Sequence, residues 1–106
     1  MAWIVLFVAG LLEIVWSVAM KQSDGFTRLV PAAVSIAAMI GSVAALAFVM
    51  RTLPLGTAYT VWTGIGAVGA FAVGIVFLGE AAGALRLTAA TLIVAGLVLM
   101  KVASPE

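Results

Sequence analysis

The chain has 106 residues, of which 66% are hydrophobic and 8% charged, against about 25% charged in a soluble domain. So short a chain cannot hide this much apolar surface from water, since small domains bury only about 60% of their unfolded surface; the composition implies an all-α integral membrane protein. A net charge of +1 offers no basic face to a nucleic acid, and the lack of cysteine and histidine excludes disulfides, thiol nucleophiles and the usual zinc or copper ligands.

A helix needs about 20 apolar residues to cross a bilayer, and the charges divide the chain into four such spans. The first, about 2–20, reads "AWIVLFVAGLLEIVWSVAM" and carries one charge, Glu13. It has no basic leading region and no A-x-A-like cleavage site, so it reads as a retained span rather than a signal peptide. Trp3, near its start, reads as an interfacial anchor. Residues three, four and seven apart share a helix face, which puts Leu6, Gly10, Glu13 and Ser17 in one stripe with Trp16 beside it. The polar stretch "KQSDGFTR" follows, with Asp24-Gly25 as a turn.

The second span, about 29–50, has no charge. Pro31 lies near its start, where a missing N–H does no harm. Ala33, Ala37, Gly41 and Ala45 form a small-residue ridge suited to helix contact; Met39, Ser42 and Leu46 lie on an adjacent face. After "RTLPLG" comes a third uncharged span, about 57–78, on which Tyr59, Trp62, Thr63, Gly66 and Ala70 align. Its "GIG", Gly64 to Gly66, marks either a kink or a close helix approach. The fourth span, about 84–102, follows "GEAAGALR". Only Leu87–Met100 lies between Arg86 and Lys101, so those side chains must snorkel, or Lys101 must face protein or water. Ala89 and Gly96, a heptad apart, suggest a further helix contact. No linker or low-complexity segment interrupts the chain, and residues 1–106 read as a single domain.

Basic residues normally gather on the cytoplasmic side of a membrane. Here Lys21, Arg28 and Arg86 fall on one side, against Arg51, Lys101 and the N-terminal amine on the other. So small a bias is either noise or the mark of a chain that inserts both ways round.

A central carboxylate costs roughly 2.5–3.5 kcal/mol on insertion scales, so function is its default reading. Glu13, Trp16, Ser42, Tyr59 and Trp62 can all hydrogen-bond and all fall within the spans. The plainer alternative is a buried network that only satisfies itself. Low dielectric disfavours the charged form of any carboxyl group. A carboxyl that cycles between protonated and ionised holds a cation only when ionised. Proton and cation then compete for one site, and competition gives exchange where access alternates. Trp and Tyr faces attract cations by about 0.5–2 kcal/mol per contact. Four short helices hardly enclose a cavity open to either side; a homodimer would, and dual insertion would make it antiparallel, an inverted repeat built from two copies of one chain.

The strings "AGLLEIVWSVAMKQSDGFTRLVP", "RTLPLGTAYTVWTGIGAVGA" and "FLGE" resemble the small multidrug resistance family of transporters, and the likeness runs from Met1 to about Lys101. Trp16 and "WTGIGA" resemble its guanidinium-exporter branch; the quaternary-ammonium branch usually has a small residue in place of Trp16. The resemblance implies four transmembrane helices per chain in an antiparallel, dual-topology homodimer, multi-pass in the bacterial cytoplasmic (inner) membrane. It implies exchange of guanidinium or related organic cations for protons, with no enzymatic step and no cofactor, driven by the proton gradient. By position, Glu13 matches the shared proton and substrate site. Trp16, Ser42, Tyr59 and Trp62 match the network around the carboxylate, and Gly10 a pocket-lining position. Gly64 and Gly66 match a bend in the third helix, and Gly96 a dimer contact. "GEAAGAL" departs from relatives that carry a proline after the glutamate. Broad export of quaternary ammonium compounds is the alternative within the family. A proton-translocating rotor subunit would also use one membrane carboxylate, but four spans and the absence of a long glycine repeat count against it.

Overall fold

The computed structural model describes residues 1–103; the last three residues of the expected domain lie outside the described range. Four α-helices follow one another: α1 (Ala2–Gln22), α2 (Leu29–Val49), α3 (Leu55–Leu78) and α4 (Ala84–Ala103). Each is long and apolar enough to cross a membrane, and at about 1.5 Å per residue each matches a hydrocarbon core of about 30 Å. The chain is a multi-pass membrane protein.

Local chemistry sets the ends. After α1, the buried Ser23 donates its hydroxyl to the Met20 carbonyl at 2.7 Å and accepts the Phe26 N–H at 2.9 Å. The turn that follows holds Asp24, Gly25 and Phe26 at φ 52°, 71° and 66°, a left-handed run that glycine tolerates freely and the two others at a cost of about 1–2 kcal/mol each. Pro54, extended at φ −61° and ψ 152°, precedes α3, which therefore starts two residues earlier than Thr57. Gly79, left-handed at φ 71°, ends α3, and the N–H of the next residue, Glu80, donates to the Gly74 carbonyl at 3.0 Å.

The helices lie side by side in a slab of 43 × 34 × 17 Å. α1 sits between α2 and α3, while α4 leans on α3. Neighbours in sequence run antiparallel, so α1 begins on the side where α2 ends, α3 begins and α4 ends. The buried cluster gathers at that end, with Leu6, Leu46, Val49, Leu53, Ala58 and Val61. Outward faces carry Ile4, Phe7, Ile40, Leu92 and Val98, as lipid contact requires, because lipid tails are as apolar as leucine. No residue of α4 is buried.

Two expectations change. The buried face of α2 consists of Ala32, Ser35, Ser42, Leu46 and Val49, whereas Ala33 and Ala37 of the small-residue ridge point outward. A helix apolar all round gives no phase signal, so alanine spacing alone could not say which side faces α1. Trp3 is no bare interfacial anchor: it packs against the buried cluster, and the Lys101 ammonium lies over its ring at 4.8 Å. Arg86 likewise lies over Phe71 at 5.0 Å, with Glu80 4.0 Å away. Both basic ends of the fourth span fold back onto protein, which explains how so short an uncharged run serves as a span.

Candidate functional site

Glu13 lies near the middle of α1. Its carboxyl group rests on α3 at Gly66, in the space that a side chain there would need. The same pattern repeats along the interface: Ile65 of α3 fills the space beside Gly10, and Ile14 of α1 fills that beside Gly69. Glycine on one helix against a bulky side chain on the other lets α1 and α3 approach closely. Gly64 does the same towards α4, taking Leu97. Close approach is thus what the contacts of Gly64 and Gly66 display, on a helix assigned without interruption from Leu55 to Leu78.

A second cluster joins three helices. The Ser42 hydroxyl, fully buried on α2, donates to the Ala9 carbonyl of α1 at 2.7 Å. It accepts the Trp62 indole N–H from α3 at 2.9 Å. The Tyr59 ring, half-exposed, lies 5.7 Å from that of Trp62 at 42°. Ser42, Tyr59 and Trp62 are therefore brought together, one turn of α1 away from Glu13.

Glu13 itself is not hydrogen-bonded into this cluster. Its Oε2, like the indole nitrogens of Trp16 and Trp3, is buried without a hydrogen-bond partner within the described chain. An unmade bond of this kind costs about 1–3 kcal/mol. An ionised carboxylate only accepts hydrogen bonds, so the group suits a proton or a cation rich in N–H donors. α2 and α3 carry no charged residue, and no ion pair competes for it from those helices.

Gly96 stands apart. It is exposed, with nothing within 4 Å of where its side chain would begin. With Tyr59, Thr63, Gly64, Ile93 and Met100 it lines an open, apolar groove of about 490 Å³ between α3 and α4. Glu13 does not line this groove.

Sequence reasoning missed Ser35. Fully buried on α2, it donates its hydroxyl to the Trp16 carbonyl of α1 at 2.9 Å. The available signal was its position, seven residues before Ser42, which puts both hydroxyls on one helix face.

Comparison with known proteins agrees with this architecture. The family described as Small Multidrug Resistance protein matches residues 1–94. A relative from Citrobacter freundii named guanidinium exporter is 58% identical over 104 residues, covering 98% of this chain and 99% of its own. The guanidinium exporter of Salmonella typhimurium matches to the same extent, and that of Escherichia coli K12 is 54% identical over the same coverage. The chain belongs to the small multidrug resistance family.

Proposed function

We propose that this chain exports guanidinium in exchange for protons, as an antiparallel, dual-topology homodimer in the bacterial cytoplasmic membrane. The single observation that carries the reading is Glu13: a carboxylate in mid-membrane, set on glycine, with a buried oxygen that the chain leaves unpaired. The substrate follows from the relatives' names and from chemistry. Guanidinium is planar, makes paired N–H···O bonds to a carboxylate, is weakly hydrated and stacks on aromatic faces. Trp62, aimed by Ser42, and Tyr59 beside it supply such faces; Trp16 lies one turn from Glu13 on α1, and Gly10 lets α3 pack closely beside it.

The cycle needs few parts. Ionised Glu13 takes guanidinium from the cytoplasmic side. Access then switches, with α3 bending at Gly64 and Gly66. A proton from outside neutralises the carboxylate and releases the cation. The proton is returned inside. Because one carboxylate cannot hold both, each turn exchanges one for the other. The four helices form a thin slab, 17 Å in its shortest extent, which supports a reading in which a second copy completes the site, with Gly96 at the contact. Substituted guanidiniums and small hydrophobic cations are further substrates of the same carboxylate.

The deciding experiment is proton-gradient-driven guanidinium uptake into proteoliposomes. Wild-type protein is expected to accumulate guanidinium when the lumen is acidic, and Glu13→Gln to fold yet lose exchange. Vigorous movement of tetraphenylphosphonium without movement of guanidinium would reject the reading, as would full exchange by Glu13→Gln. Tags near Lys101 are expected to react equally from both membrane faces in cells; reaction from one face alone would remove the antiparallel dimer.

A further inference from the structure

We propose that Ser35 is a positioning residue for the Glu13 site, pinning the turn of α1 that carries Glu13 and Trp16 through its hydrogen bond to the Trp16 carbonyl. The inference rests on the reading of Glu13 as the exchange site and adds a residue to it.

A serine or threonine inside a membrane helix usually satisfies its hydroxyl on its own helix, one turn back. Ser17, Thr88 and Thr91 do so, donating to Ile14, Ala84 and Leu87 carbonyls at 2.9, 2.7 and 2.8 Å. Ser35 and Ser42 behave differently: both donate across to the backbone of α1, at 2.9 and 2.7 Å, and both are fully buried. The donors are seven residues apart on α2, and the acceptors, Trp16 and Ala9, seven apart on antiparallel α1. The two bonds are therefore matched rungs, about 10 Å apart along the helix axis.

Glu13 lies between the rungs, four residues after Ala9 and three before Trp16. One residue of slippage on a helix turns a side chain by about 100°, which would carry the carboxyl group off Gly66. Ion pairing does not aim Glu13, because α2 and α3 carry no Asp, Glu, Lys or Arg. Backbone placement must do it, and the rungs fix the backbone. Ser42 is shared with the Trp62 indole; Ser35 serves the other end, holding α1 at the residue whose side chain flanks the site.

The test compares wild type, Ser35→Ala, Ser35→Cys and Ser35→Thr in proteoliposomes. Loss of a donor to the backbone is expected to raise the guanidinium KM roughly fivefold in Ser35→Ala and Ser35→Cys, with kcat little changed; Ser35→Thr, which keeps the hydroxyl, restores it. A role in stability alone would lower the amount of active protein and leave KM unmoved. In parallel, solid-state NMR of protein labelled at the Trp16 carbonyl and the Glu13 carboxyl is expected to show both resonances displaced in Ser35→Ala and returned in Ser35→Thr. An unchanged KM, a threonine variant as impaired as alanine, or an unmoved Glu13 resonance would overturn the proposal. Failure of the wild type to move guanidinium would instead sink the transport reading, and the Glu13 resonance would then decide the role of Ser35 by itself.

Discussion

The carboxyl group of Glu13 occupies the place where Gly66 has no side chain. A methyl group there meets the carboxyl oxygen and carbons, and the helices cannot keep both the contact and the distance. Gly66→Ala is expected to abolish guanidinium exchange and to cost about 1–3 kcal/mol through overpacking. Uptake assays together with thermal unfolding in mild detergent check this; wild-type exchange by Gly66→Ala would show that the carboxyl does not need that position.

Gly10 and Gly64 look alike in sequence but face different neighbours. A Cβ on Gly10 would lie 2.8 Å from Cβ of Ile65, an atom fixed to the backbone of a β-branched residue with a stiff χ1. A Cβ on Gly64 meets the outer part of Leu97, with Cγ at 3.0 Å, and that side chain can turn aside. Gly10→Ala is therefore expected to destabilise by about 1–3 kcal/mol and Gly64→Ala by less. Equal losses in thermal unfolding would contradict the assignment.

Ser42 is both donor and acceptor, donating to the Ala9 carbonyl and accepting the Trp62 N–H, for which it is the only partner among the described residues. Ser42→Ala leaves the Trp62 N–H unpaired in a dry site, at a cost of about 1–3 kcal/mol; Trp62→Phe removes the donor and costs closer to 1 kcal/mol for the bond itself. Once Phe occupies position 62, Ser42→Ala should cost less than it does in the wild type. A double-mutant cycle measured by unfolding should give a coupling of about 1 kcal/mol; simple additivity would mean that the hydrogen bond contributes nothing.

Within one chain a side chain begun at Gly96 would meet nothing within 4 Å, so alanine there should gain up to about 1 kcal/mol of helix propensity. If Gly96 lies at the proposed contact between copies, the same change should lower the dimer fraction measured by sedimentation in detergent, and Gly96→Leu should lower it further. A dimer indifferent to both changes would remove Gly96 from the interface.

Four helices were legible because hydrocarbon-length apolar runs leave little choice of fold. Their ends were legible where charge, proline or a turn dipeptide stood, as at Lys21 and Gly79, and less so at Leu55, where an apolar residue begins the helix early. The Ser42–Trp62 pair was legible as hydrogen-bonding capacity placed inside oil. The α1-facing side of α2 was not, because alanine fills both its faces. Ser35 escaped notice because a single serine in such a helix usually bonds its own backbone, and only the matched acceptors on α1 distinguish it. The fold-back of Lys101 onto Trp3 could not be read either, since it joins residues near the two ends of the chain.

An even number of crossings brings the first residue of α1 and the last of α4 out on the same side of the slab. Two copies joined end to end by a short tether would consequently be forced to point the same way. Such a fusion cannot produce an oppositely oriented pair unless the tether itself traverses the bilayer. A tandem gene with and without one added hydrophobic crossing therefore offers a genetic reading of orientation that needs no labelling of the protein.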